Sequence, residues 1–278
     1  MNVVFDGACF QLGQEGVAEI WASLLPPLIA KIGTQAFVLD RGQCPPIIGA
    51  NVVPFPGFSG TATAEDSRLI QRICDHVGAD VFVSTYYTTP LTTPSVAIVY
   101  DPGSDGIGGK IGRRMSTEKG LAIRHACRHV CISEHARREM LRSYPWLEAR
   151  RVEVVDGFDR RGLLGRNREN VAADKTREGR PRPDETDEAA VVISGDDPRE
   201  LAAAVDGVRD DHRQTELSNL GLHQAARFEW DRSAEALLEA MGDAVREART
   251  PGYRAFAGEW ARLRAIQGAV DVDVYVDE

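Results

Sequence analysis

"DVFVSTYYTTPLTTPSVAIVYD", residues 80 to 101, holds two apolar, β-branched runs, 80–85 and 95–101, around a polar stretch with two prolines. Neither run alternates apolar with polar residues. A strand with one wet face alternates; a strand covered on both faces reads as a continuous apolar run, the pattern of a parallel sheet between helices. The flanking sequence repeats the theme. "NVVF" (2–5), "AFVLD" (36–40), "HVCIS" (129–133) and "RVEVV" (151–155) are further strand-like runs. Helical patterns separate them. Residues 14–32 place Val17, Ile20, Trp21, Leu24, Leu25, Leu28 and Ile32 near helical spacing, and residues 64–78 carry a stripe of Leu69, Ile70, Ile73, Cys74 and Val77. "EKGLAIRHAC" (118–127) and "EHARREMLRSY" (134–144) follow. Pro26 and Pro27 interrupt the first pattern, where each removes a backbone hydrogen bond and clashes one turn back, so a kink or two helical pieces is expected. Strand and helix alternate throughout, which predicts an α/β fold with a doubly wound, Rossmann-like parallel sheet over residues 1–158.

Beyond residue 158 the pattern stops. Residues 159–188 show neither period and are rich in Arg, Asp and Glu, so they read as a flexible linker. Order returns at "AAVVIS" (189–194). "DPRELAAAVDGVRDD" then offers Asp197 as a helix cap with Pro198 at the first helical position. The stretches "TELSNLGLHQAARF", "DRSAEALLEAMGDAVREA" and "PGYRAFAGEWARLRAIQ" are further helices, making 189–278 a mainly helical part. Its apolar positions Leu201, Val205, Leu237 and Leu238 need cover, either from the N-terminal domain or from a second subunit of a homo-oligomer.

The 278 residues carry a net charge of −9, which argues against a nucleic-acid ligand, because phosphate binding needs a concentrated positive field. The chain opens on a strand-like run without a signal-peptide pattern and has no apolar run of about 18 residues. A cytoplasmic protein without a membrane span is expected. The five cysteines, Cys9, Cys44, Cys74, Cys127 and Cys131, form no close pair of the C-x-x-C kind and read as reduced thiols. His125, His129 and His135 straddle a helix, a strand and a second helix and need not converge, so no metal site is expected.

Several stretches together resemble the retaining glycosyltransferases of the GT-B fold (family 4, group 1 type). "FDGACFQLGQEGVAEIWASLL" is similar to their opening strand, glycine-containing loop and first helix. "DVFVSTYYTTPLTTPSVAIVYD" resembles the strand pair that ends over their cleft. "CRHVCISEHARREMLRSYP" followed by "RVEVVDGFD" resembles their strand ending in Ser-Glu, a helix, a strand and an interlobe turn. "DDPRELAAAVDGVRDDHRQTELSNLGLHQAARFEWDRSAEALLEAM" is similar to their last helices, with Phe228 and Trp230 before the terminal one. The resemblance implies transfer of a sugar from a nucleotide sugar to a glycan acceptor, as in polysaccharide biosynthesis, with retained anomeric configuration and no metal or other cofactor. It implies an acceptor-side lobe at 1–158 and a donor lobe after it.

The donor lobe is where this chain departs. A second doubly wound domain takes on the order of 100 residues, yet the chain passes from Asp159 to the closing helices near Asp197 through the linker alone. The family's diphosphate-holding basic residues and glycine-rich loop with two spaced glutamates have no counterpart. Glu239 and Glu247 have a similar spacing but lie on a late helix and read as its solvated face. A transition state is not stabilised by donors that are absent, so a second reading stands beside the enzymatic one: a truncated, non-catalytic remnant that binds a glycan, a nucleotide or a partner.

The candidate site residues follow from these motifs. Gly13 and Gly16 lie in the loop after the first strand, where backbone amides can approach a diphosphate or simply make a turn. Asp101 ends a strand at the rim of the sheet, either as a catalytic cleft residue or as the first residue of the "DPGSDG" turn. Gly103, Gly106, Gly108, Gly109 and Gly112 then suggest a mobile loop. Tyr86 and Tyr87 suit stacking on a sugar or covering the sheet edge. Ser133 and Glu134 suit substrate contact, and Ser133 also suits a helix cap.

Overall fold

A computed structural model describes residues 1–12, 17–59, 63–100, 109–155, 198–225 and 230–269. Among the described residues seven strands form one parallel sheet: β1 (Val3–Asp6), β2 (Ala36–Asp40), β3 (Asn51–Pro54), β4 (Val81–Ser84), β5 (Ser95–Val99), β6 (Arg128–Cys131) and β7 (Val152–Val154). Their order is β3-β2-β1-β4-β5-β6-β7, every neighbouring pair running parallel. The α/β, Rossmann-like fold expected for the first part of the chain is therefore present. The order reverses between β1 and β4, the place where open sheets of this kind bind ligands beyond the strands' carboxyl ends.

Nine helices accompany the sheet among the described residues: α1 (Ala8–Gln11), α2 (Val17–Ile32), α3 (Thr63–Val77), α4 (Gly109–His125), α5 (Glu134–Ser143), α6 (Pro198–Val208), α7 (Asp211–Ala225), α8 (Trp230–Ala248) and α9 (Pro251–Ala269). Successive strand residues face opposite sides. Val3, Phe5, Val38, Val81, Val83, Val96, Ile98 and Val130 face the side covered by α2 and α8 and share one buried cluster with Trp21, Leu25, Leu28, Leu237 and Met241. On the opposite side Val4, Leu39 and Phe82 pack against Ile70 and Cys74 of α3. Val99, Cys131 and Val152 pack there against Ile123 of α4 and Ala136 and Met140 of α5.

Two local expectations change. The break into two helical pieces expected as one outcome at Pro26 and Pro27 does not occur: α2 runs as one helix through both. The carbonyls deprived of a partner belong to Ala22 and Ser23, on the exposed and half-buried side of the helix. The loop expected through Gly109 and Gly112 ends earlier, because α4 already begins at Gly109. The rest of that glycine-rich stretch, 101–108, lies outside the described residues, as do the linker at 159–188, "AAVVIS" and Asp197. Pro198 does open α6. Leu237 is fully buried and Leu238 half-buried against the sheet cluster, whereas Val205 is exposed. No helix among the described residues is long and apolar enough to cross a membrane.

Candidate functional site

The carboxyl ends of β1, β2 and β4 meet in a buried polar network. Asp6 closes β1 and is 1% exposed. One carboxylate oxygen accepts from Arg41 Nε at 2.5 Å; the other accepts from the Thr88 hydroxyl. Arg41 follows β2 and grips Asp66 of α3 with both terminal nitrogens, at 2.7 and 2.9 Å, a bidentate fork that lysine could not make. Its NH1 also donates to the Pro56 carbonyl at 3.1 Å, and its plane lies over the Phe55 ring at 4.6 Å. Burial alone would lower the Arg41 pKa, yet Asp6 and Asp66 push it above its ordinary value. Asp66 titrates above the usual carboxylate range, because burial outweighs its arginine partner. The trio therefore holds two carboxylates against one guanidinium, and the arginine side chain is 0% exposed. This cation is consumed by structure and is not presented to an anionic ligand.

Gly7 sits between β1 and α1. Its N–H donates to the Leu39 carbonyl at 3.0 Å, and a Cβ added there would lie 2.2 Å from that same oxygen. The glycine that the first strand-to-helix turn requires is thus Gly7. Gly13 and Gly16 lie outside the described residues, and so does Asp101.

Tyr86 and Tyr87 stand just beyond β4, half-buried, with ring centroids 5.5 Å apart. Tyr87 adopts φ +56°, a left-handed backbone that a bulky side chain rarely takes and that costs about 1–3 kcal/mol. The Lys119 ammonium of α4 lies over the Tyr87 ring at 5.7 Å from its centroid. Beneath them Tyr100 is buried, accepts from Trp21 Nε1 and donates to the Thr85 carbonyl at 3.1 Å. Burial raises its pKa well above the ordinary value, so the phenol stays protonated.

Neither a protein-family model nor a curated protein sequence matches this chain. The remaining candidates are read from geometry alone. Ser133 is buried and caps α5, accepting from the Ala136 N–H at 3.1 Å. Glu134 is exposed and pairs with Arg137 one turn along, at 3.1 Å. The two therefore diverge, Ser133 inward and Glu134 outward. The cysteines are unbridged, and burial pushes the Cys9 thiol up to about 12, far from a reactive thiolate. His125 donates or accepts through Nδ1 with the Ser95 hydroxyl at 2.8 Å, while His129 contacts the Ile123 carbonyl at 2.7 Å, so the two serve separate packing sites.

The tyrosines were legible in sequence, as aromatic residues ending a strand. Asp6, Arg41, Asp66 and Thr88 were not, since the network closes only when residues far apart in sequence meet. The one available signal was an aspartate immediately before Gly7 at the end of an apolar run.

Proposed function

We propose that this chain is a glycosyltransferase-like protein whose sheet corresponds to the acceptor-side lobe of a GT-B enzyme of the retaining, family 4 type, and that it binds carbohydrate without turning it over. The observation carrying this reading is the tyrosine pair at the β1–β4 reversal point, with Tyr87 held in a costly backbone conformation. Aromatic faces suit the apolar faces of sugar rings, and strain of this kind clusters at ligand sites. The motif resemblance supplies the ligand classes: a glycan acceptor, and a nucleotide sugar in the cytoplasm. A seven-stranded order of 3-2-1-4-5-6-7 suits such a lobe.

The non-catalytic side of the proposal has its own support. Arg41, the cation bonded to Asp6 at the end of β1, is engaged by Asp6 and Asp66. Among the described residues helix α8 packs on the one sheet, and α9 packs against α3 and α8 with no second sheet beneath it. The test is calorimetric titration with a panel of oligosaccharides and nucleotide sugars, paired with a sugar-transfer assay. Oligosaccharide binding that is lost in Tyr87→Ala, without measurable transfer, is expected. Robust transfer by this chain alone would refute the non-catalytic reading. Absence of any sugar or nucleotide binding would refute the carbohydrate reading and leave a structural or regulatory module.

A further inference from the structure

The connection from β4 to β5, residues 85–94, joins two adjacent parallel strands without a helix. Such links ordinarily need a dozen or more residues and a helix, which satisfies its own backbone. This one is also buried over much of its length: Thr85, Thr88, Thr89 and Thr93 are all nearly inaccessible. A buried irregular segment must find a partner for each backbone polar group. Gln71 of α3 supplies three at once, its Oε1 accepting from the N–H groups of Leu91, Thr92 and Thr93 at 3.0, 2.8 and 3.1 Å.

Two of the connection's carbonyls are served from α9. Trp260 Nε1 donates to the Pro90 carbonyl at 3.1 Å, and the Tyr253 hydroxyl donates to the Thr92 carbonyl at 3.2 Å. Arg264 NH2 donates to the Thr89 hydroxyl at 3.0 Å, and Thr89 in turn meets Ser67 at 3.1 Å. Tyr253, Trp260 and Arg264 are seven and four residues apart, so they share one face of α9. Arg264 is itself 1% exposed, is held by Glu118 of α4 at 2.8 and 3.2 Å, and lies over the Trp260 ring at 4.8 Å. Glu118 accepts from Thr63 at the start of α3 as well, at 2.8 Å. One guanidinium therefore ties α9 to α4, to α3 and to the connection.

We propose that α9 is a strap that positions the β4–β5 connection, and through it Tyr86 and Tyr87, with Arg264, Trp260 and Tyr253 as its positioning residues; that it serves carbohydrate binding rests on the function proposed above. The strap itself is tested without ligand, by amide hydrogen exchange on the full chain. Trp260→Phe with Tyr253→Phe keeps an aromatic ring at each position and removes the two donors to the connection. Exchange at Leu91, Thr92 and Thr93 is expected to quicken at least tenfold, while amides of β1 and β2 keep their rates. Unchanged exchange at those three amides, or equal acceleration in β1 and β2, would overturn the proposal. Arg264→Met should reproduce the local effect, and Arg264→Lys, which keeps a cation against Glu118, should restore part of the protection. A strap variant should also weaken oligosaccharide binding at temperatures well below its thermal midpoint, where the chain is still folded. If the exchange result holds but the unmodified protein binds no sugar, the strap stands and the carbohydrate reading falls.

Discussion

At the scale of single residues, the sharpest constraint is Gly7. Its missing side chain lets β1 turn into α1 against the β2 carbonyl of Leu39, and a methyl group would sit 2.2 Å from that backbone oxygen. Backbone cannot swing aside as a side chain can. Gly7→Ala is expected to cost on the order of 3 kcal/mol, read as a lower urea midpoint at unchanged slope. The buried imidazoles give a second prediction. Burial, reinforced by nearby Arg264, lowers the His125 pKa from 6.5 to about 3; burial, reinforced by Arg151 and Arg128, lowers that of His129 to about 4. The fold keeps both rings neutral, so as pH falls the unfolded chain takes up their protons first. Stability is retained above pH 6.5 and declines as pH drops from there toward 4, by up to about 1.4 kcal/mol per pH unit for each ring. Urea titrations between pH 7 and pH 4.5 check this, and His125→Phe should flatten the slope. A pH-independent midpoint would contradict the assignment.

At the scale of elements, α8 is the piece that changes how the chain is divided. It lies on the sheet beside α2 and contacts β4, β5 and β6. A crossover helix between β4 and β5 would ordinarily help cover such a face, and the helix-free connection leaves it bare. Arg128, at the start of β6, reaches Asp243 and Glu247 of α8, and Arg151 reaches Glu247 at 2.7 Å, fixing the helix against the far edge. Met241 is fully buried within the shared cluster. Met241→Ala is expected to cost about 2–5 kcal/mol and to unfold the sheet and the helix in one transition. Two separated transitions, only one of them shifted, would show that residues 230–269 fold independently of the sheet.

At the scale of the molecule, most elements were legible because their periods are local. The apolar runs at 81–84 and 95–99 announce strands covered on both faces, and the stripes of α3 and α5 announce their buried sides. β3 was not legible: it is a mostly exposed edge strand that starts on Asn51 and ends on Pro54, so burial left no pattern to read. The start of α4 was hidden by glycines that favour a loop locally and are overridden by the fold. Of the site, the tyrosines and the Ser133 cap could be read from sequence. The Asp6–Arg41–Asp66 trio and the Arg264–Glu118 pair could not, because charges tens to more than a hundred residues apart carry no mark of their partners.

The return of α8 to the first sheet also sets a schedule for synthesis. Translation completes β7 well before Trp230 is made, and proceeds at about 5–20 residues per second. For several seconds, on that scale, the nascent sheet lacks the helix that will cover β4 to β6. During that interval its apolar face is uncovered, so the yield of folded protein is expected to depend on how fast residues 230–248 are translated.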